Sequence, residues 1–257
     1  MKPIKIAFFD IDGTVVDMNK KQISEKMLET LERLKKNNVI ICMATGRTPM
    51  TLPDFKDIFD VFLTFNGSYC FNRQQTIFTN PLDTKDVQKI IKNATLIHRP
   101  VSVATKERLG ANGRDKDLID YYALANLEVD VDENFESLVK DEIFQIMMGG
   151  RKDEYAQIME GVEHARITAW WDRAVDIIPA DGGKGKGIEK VLEFYHIRRE
   201  DAVAFGDGNN DIEMLQTIGL GVAMGNASEE LKTVADDICG DVGEDGIYYY
   251  CIEQGWI

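Results

Sequence analysis

A chain of 257 residues, 44% of them hydrophobic, is long enough to bury a sizeable core in one domain or in two. Its 30 lysines and arginines stand against 44 acidic residues, a formal charge of -14, which argues against nucleic acid or an anionic membrane as partner; an anionic small molecule needs a metal ion or a few placed lysines to approach. Four cysteines without CxxC spacing, three histidines far apart and no apolar run of about eighteen residues argue against a disulfide scaffold, a zinc site and a membrane span.

The first element is Ile4 to Phe9, apolar but for Lys5, which reads as a strand buried on both faces and ends in Asp10-Ile11-Asp12-Gly13-Thr14. Asp10 interrupts the apolar run too early for a signal peptide, so a cytoplasmic protein with reduced, packed thiols is expected. Ligands of parallel α/β sheets bind just beyond the carboxyl ends of the strands. If the chain stays extended there, the two-residue spacing turns Asp10 and Asp12 to one side, where a cation fits between them. An acidic turn without further purpose accounts for the stretch about as well. An EF-hand loop does not, because counting from Asp10 puts Val15 at its glycine and Lys21 at its glutamate.

Ile23 to Lys36 reads as a helix with Ser24 as N-cap, Ile23 packed on Leu28, and Ile23, Met27, Leu31 and Leu34 as its apolar stripe. Val39 to Ala44 is a second buried strand, ending in Thr45-Gly46-Arg47, and Val61 to Phe65 a third, ending in Asn66-Gly67. Strand, helix, strand opens a parallel sheet with right-handed crossovers. Thr45-Gly46 is either a plain strand-to-helix turn with a threonine N-cap, or a hydroxyl and free backbone N–H groups at a helix start that hold a phosphate oxygen.

From Leu82 the texture changes. The spacing predicts a helix over Thr84 to Ile97, a strand over Val101 to Thr105, a surface loop at Gly110 to Arg114 and a helix over Lys116 to Ala125. An acidic loop (Glu128 to Glu136), a strand (Ile143 to Met148), a helix (Glu154 to Val162) and a hairpin of Arg166 to Trp171 with Ala174 to Ile178, turning at Asp172-Arg173, follow. These strands alternate, so a sheet with one open face is expected, and the region reads as a second domain inserted into the first. Trp170 and Trp171, being adjacent, are expected on opposite faces of their strand, one in the core and one near the domain junction.

The parallel-sheet texture returns at Gly182-Gly183-Lys184-Gly185-Lys186-Gly187, which leads into a helix over Ile188 to Tyr195. This is no Walker A loop, since no Ser or Thr follows the lysine. A lysine at a helix start opposes the helix dipole at a cost of roughly 0.3–1 kcal/mol, which a nearby anion would offset; a mobile basic loop is the plain alternative. Ala202 to Phe205 is another buried strand, ending in Gly206-Asp207-Gly208-Asn209-Asn210-Asp211, with Asp207 and Asp211 on neighbouring positions before a helix over Ile212 to Ile218. A strand (Leu220 to Met224) and helices over Ser228 to Ala235 and Gly246 to Glu253 complete the chain. The glycines from Gly219 to Gly225 do not fit G-x-G-x-x-G, and the N-x-S triplet at Asn226 carries no meaning outside the secretory pathway.

In that order, Asp10-Ile11-Asp12-Gly13-Thr14, Ala44-Thr45-Gly46-Arg47, Asp176-Ile177-Ile178-Pro179 leading to Lys184-Gly185, and Gly206-Asp207-Gly208-Asn209-Asn210-Asp211 resemble the four motifs of the haloacid dehalogenase (HAD) superfamily of aspartate-nucleophile phosphohydrolases. Asn66-Gly67 and Glu244-Asp245-Gly246 extend the likeness, in its Cof-like branch, over nearly the whole chain. The resemblance implies an α/β fold: a doubly wound, Rossmann-like parallel sheet core over residues 1–81 and 180–257, with an inserted α/β cap domain over 82–179 that chooses the substrate. It implies a Mg2+-dependent phosphatase of small phosphorylated metabolites, sugar phosphates or similar, working through an aspartyl phosphate. Asp10 is then the nucleophile and Asp12 the acid/base; Thr45, Gly46, Lys184 and Asn210 hold the phosphate; Asp10, Asp12 through its backbone carbonyl, Asp207 and Asp211 hold the metal, Asp211 directly or through a water. Lys186 competes with Lys184 for the phosphate role, and counting from Asp176 to Pro179 favours Lys184.

Two other functions use the same residue types. A phosphotransferase or sugar phosphomutase passes the phosphate on instead of releasing it. A non-enzymatic phospho-acceptor of the receiver type also clusters Asp, Thr and Lys on a doubly wound sheet, but an acid/base at Asp12 and an insert of about a hundred residues, a full domain's worth, count against it. The exact substrate and the oligomeric state are not legible in the sequence.

Overall fold

The computed structural model describes residues 3–20, 22–124, 127–169 and 171–257. They fall into two compact units, one of residues 1–46, 53–79 and 183–257, the other of residues 47–52 and 80–182. The first unit begins with strands β1 (Ile6–Phe9), β2 (Val16–Asp17) and β3 (Gln22–Ile23), helix α1 (Glu25–Lys36), and strands β4 (Ile40–Ala44), β5 (Val61–Thr64), β6 (Tyr69–Asn72) and β7 (Thr76–Thr79). The second comprises α2 (Thr84–Leu96), β8 (Val101–Ala104), β9 (Leu109–Ala111), α3 (Lys116–Leu124), α4 (Phe135–Leu138), β10 (Gln145–Gly149), α5 (Tyr155–Ile158), β11 (Ala165–Thr168) and β12 (Ala174–Pro179). The chain then returns to the first unit with α6 (Lys184–Tyr195), β13 (Ala202–Gly206), α7 (Ile212–Thr217), β14 (Leu220–Ala223), α8 (Glu229–Val234), β15 (Asp237–Ile238) and α9 (Gly246–Glu253).

The first unit is built on an eight-stranded sheet in the order β15-β14-β13-β1-β4-β5-β6-β7. Six strands, β15 to β5, run parallel, as continuous apolar strands with covered faces must. β1 lies in the middle, fully buried, with Phe9 opposite both Phe205 and Met43 and its ring stacked on Phe205 at 5.3 Å. That register brings Asp10, Ala44 and Gly206 level at the carboxyl ends of three neighbouring strands. α1 starts as expected, the Ser24 hydroxyl accepting from the Met27 N–H, and it buries Met27, Thr30, Leu31 and Leu34. Ile23 is not part of that stripe, because it pairs in the small β2–β3 hairpin.

Three further local expectations fail in this unit. The antiparallel β6 and β7 extend the sheet where no strands were read. Thr45-Gly46 does not open a helix: the chain passes to a short 3-10 turn over Pro49–Thr51 capped by Thr48, and the Thr45 N–H donates to the Leu63 carbonyl at 2.8 Å instead of standing free. α6 begins at Lys184, so the lysine belongs to the first helical turn and not to a loop before it.

The second unit is a five-stranded antiparallel sheet in the order β11-β12-β10-β8-β9. One face packs Val101, Val103, Ile146, Met148, Val175 and Ile177 with Val87, Ile90 and Ala94 of α2 and Ile158 of α5. The other face is not open, contrary to the alternation in the sequence. β8, β10 and β12 are buried throughout, and α3 lies over that face with the Tyr122 hydroxyl on Ser102 and the Tyr121 hydroxyl donating to Asp176, each at 2.6 Å. Gly110 and Ala111 lie in β9 and not in a loop, and the helix read over Glu154 to Val162 is a single turn. Trp171 follows β11 in a turn, half-buried under the Arg173 guanidinium at 4.5 Å, while Ala125 and Trp170 lie outside the described residues. Cys42, Cys70, Cys239 and Cys251 are free and buried, and among the described residues no helix is long and apolar enough to cross a membrane.

Candidate active site

At the end of β1 the backbone N–H of Asp10 still donates to Phe205, so the carboxylate is delivered at the sheet edge by a strand that is wholly core. The chain then turns sharply: Gly13 has φ +94° and its N–H donates to the Val16 carbonyl at 2.9 Å. Only glycine fits, since a Cβ at Gly13 would stand 2.2 Å from Asp207 Oδ2. The close approach lets the Thr14 hydroxyl donate to Asp207 Oδ1 at 2.9 Å. Beyond β13, Asp211 folds back so that its Oδ2 accepts from the N–H groups of Asp207 and Gly208 at 3.0 and 3.1 Å. Its Oδ1 meets Lys184 Nζ at 2.5 Å, and the same ammonium contacts Asp10 Oδ1 at 2.5 Å.

The Lys184 side chain is wholly buried between these two carboxylates, which supply the anions that a lysine in a first helical turn calls for. Lys186, two residues on, is part-exposed and among the described residues pairs with Glu189, at 3.9 Å. Asp10, Asp207 and Asp211 each present an oxygen within 4.8 Å of the others. Asp12 is half-buried beside them, near enough for its charge to be felt by both Asp10 and Asp207. Thr45 is buried at the end of β4, next to β1, with Gly46 following it. Asn210 stands in the short 3-10 turn Asn209–Asp211 after β13, with its amide on Asn66 Oδ1 at 3.3 Å.

The electrostatics are those of crowded, buried carboxylates. Burial pushes the Asp10 carboxyl well up; Lys184 opposes this, and Asp211, Asp207 and Asp12 add to it. Asp207 is pushed up to about 7 by burial and by Asp211, against the Thr14 hydrogen bond. Burial alone would lower the Lys184 ammonium, but Asp10 and Asp211 more than offset it and keep it charged. One ammonium thus faces three carboxylates that offer oxygen donors only, a set that fits a hard divalent cation.

A pH dependence follows. Between about pH 4 and 7 the folded protein keeps a proton on Asp207 that the unfolded chain has lost, and Asp10 acts in the same direction. The metal-free protein should therefore lose stability as pH rises through that window, on the order of 4 kcal/mol from Asp207. Melting curves at pH 5 and 7.5 check this: a divalent cation should raise the melting temperature more at 7.5, where protons compete less for the oxygens. Equal cation effects at both pH values would remove the cluster as its binding site.

Two contributors were missed in the sequence. The Asn226 amide donates to the Gly13 carbonyl at 2.8 Å and accepts from the Val242 N–H at 2.9 Å, so it clamps the loop after β1. The Ser228 N–H holds the Asp207 carbonyl at 3.0 Å. A turn-like Gly225-Asn226 gives no sign of either role, because both partners lie far away in the chain.

Residues 7–251 match the family model of the haloacid dehalogenase-like hydrolases. A putative phosphatase of Bacillus subtilis (strain 168) is 32% identical over 254 residues, covering 98% of this chain and 98% of its own. A 5-amino-6-(5-phospho-D-ribitylamino)uracil phosphatase of the same organism is 28% identical, covering 96% of this chain and 95% of its own. Among solved structures, a sugar phosphatase of HAD subclass IIB is similar with a TM-score of 0.91 at 27% identity, covering 98% of this chain and 100% of that one.

Proposed function

The chain belongs to the haloacid dehalogenase-like hydrolases and is a phosphatase, and on that premise we propose that it hydrolyses small phosphorylated metabolites, sugar phosphates or related compounds, using Mg2+ and an aspartyl phosphate formed on Asp10. The observation that carries the reading is the buried Lys184 joined to both Asp10 and Asp211, with Asp207 alongside, at the carboxyl ends of parallel strands. The substrates of the two named relatives, a ribitylamino-uracil phosphate and sugar phosphates, support the substrate class. Residues 1–81 and 180–257 are read as the catalytic core and 82–179 as the cap that chooses the substrate.

Lys184 engages Asp10 Oδ1 and leaves the second carboxylate oxygen to attack phosphorus. As that O–P bond forms and the bond to the leaving oxygen breaks, Asp12 gives its proton to the departing alcohol. Asp12 then takes a proton from the water that attacks the same phosphorus and frees Asp10, so a phosphate ester and water become an alcohol and inorganic phosphate. Lys184, with Thr45, Gly46 and Asn210, holds the transferring oxygens, an electrostatic clamp on the charge that spreads over them. Asp10, Asp207 and the Asp12 carbonyl would hold Mg2+, with Asp211 ordering the set through Lys184 and the Asp207 and Gly208 N–H groups; when bound, the ion supplies charge neutralisation at the phosphoryl group.

The test is phosphate release from a panel of sugar phosphates, phosphorylated polyols and nucleotides, with and without Mg2+. Release from some members, and only with the metal, is the expected result. Release from none by a folded protein that binds Mg2+ would end the reading.

A further inference from the structure

We infer that the turn Phe65-Asn66-Gly67 sets the positions of the phosphate-holding groups, with Asn66 acting through the Asn210 amide as a positioning residue; this deepens the phosphatase reading above and rests on it. All three residues of the turn have positive φ, +52°, +52° and +88°. Side chains rarely adopt that conformation, and it persists only where the surroundings dictate it, most often at functional sites.

Three contacts dictate it here. The Asn66 N–H donates to the Thr45 carbonyl at 3.0 Å. Asn66 Oδ1 accepts from Asn210 Nδ2 at 3.3 Å. Gly67 lies so close to the start of α6 that a Cβ there would stand 2.5 Å from the Gly183 carbonyl oxygen and 3.1 Å from Lys184 Cα. One strained turn after β5 thereby touches the residues proposed to hold the phosphate on three separate segments: Thr45, Lys184 and Asn210. It spans the sheet from β5 to the loop after β13, past the ends of β4 and β1.

The Asn66 side chain has the most specific part. An amide carries two N–H donors. One of those on Asn210 goes to Asn66, and Asn210 Oδ1 is pressed over Gly208, where a Cβ would stand 2.6 Å away. The hydrogen bond to Asn66 sets the direction of the amide, and the second N–H is what remains for a phosphate oxygen. Asn66 is 2% exposed, so water does not readily replace its oxygen if the side chain is removed.

Glycine at position 66 keeps the left-handed backbone and removes only the carboxamide. The experiment compares Asn66→Gly, Asn210→Ala and the double variant, with p-nitrophenyl phosphate as substrate and orthophosphate binding by calorimetry. Asn66→Gly should melt close to the parent, while orthophosphate affinity and KM worsen by about three- to tenfold and kcat changes less. The double variant should be no worse than Asn210→Ala alone, the mark of a residue that acts through its partner. Unchanged orthophosphate affinity in Asn66→Gly, or additive losses in the double variant, would overturn the inference. A parent that binds orthophosphate but hydrolyses nothing would defeat the phosphatase reading instead, and the binding comparison would still decide for or against Asn66.

Discussion

Asp10→Asn is expected to abolish phosphate release, by at least about ten-thousandfold, without weakening the fold. The substitution is nearly isosteric and replaces the oxygen proposed to attack phosphorus with an amide nitrogen that cannot. Its effect on stability should have the opposite sign to its effect on activity. Burial holds the Asp10 carboxyl far above its usual range, so the ionised form is costly in the metal-free protein. Removing that charge leaves Lys184 still paired with Asp211 at 2.5 Å. Melting temperature in the absence of metal should stay level or rise, and phosphate release measured beside it should vanish. Residual turnover within about tenfold of the parent would show that Asp10 is not the nucleophile.

The second large effect is expected at Lys184, and there activity and stability fall together. Methionine approximates the length of lysine but leaves Asp10 and Asp211 buried with no cation between them. Removing one partner of a buried ion pair costs about 3–5 kcal/mol. In a chain of this size that lowers the melting temperature by roughly 6–20 °C. Turnover should drop about a thousandfold as well, the usual loss when one preorganised donor to a transition-state oxygen is removed. Two controls identify the cause. The stability loss should shrink as pH falls, because burial raises the Asp10 carboxyl and a protonated partner needs no cation, and Lys186→Met should lose neither activity nor stability, because among the described residues that side chain pairs with Glu189 at 3.9 Å on a part-exposed surface. A Lys184→Met protein as stable at pH 7.5 as the parent would contradict the buried-pair account.

The parallel core is legible in the sequence because its strands carry their environment with them. Ile6 to Phe9, Ile40 to Ala44, Val61 to Thr64 and Ala202 to Gly206 are apolar without alternation, and only a sheet covered on both faces buries such runs. Ser24 announces the start of α1 by the same local logic. β6 and β7 escaped because Tyr69 to Asn72 and Thr76 to Thr79 are short, and Arg73-Gln74-Gln75 between them carries no glycine or other turn residue. The closed second face of the other sheet escaped because Tyr121 and Tyr122 cover Asp176 and Ser102 only once the helix has docked.

For the candidate site the limit is of the same kind. That Asp10, Asp207, Asp211 and Lys184 belong together could be read from their order at strand ends. Which carboxylates Lys184 joins is a matter of ångströms, and spacing alone does not carry that. Asn226 looked like an idle triplet since its partners, Gly13 and Val242, are distant in the chain.

The sheet order also fixes when the chain can become active. β1 is made first, yet its two neighbours are β4 and β13, and the contacts that define the site join positions far apart: 174 residues separate Asp10 from Lys184 and 193 separate Thr14 from Asp207. Closing loops of that length is slow, and one flank of β1 stays open until most of the polypeptide has left the ribosome. The second unit, whose strands follow one another within residues 101–179, meets no such delay. The candidate site lacks Lys184, Asp207 and Asp211 until the last third of the protein has been made, so no shorter amino-terminal piece of the chain should release phosphate.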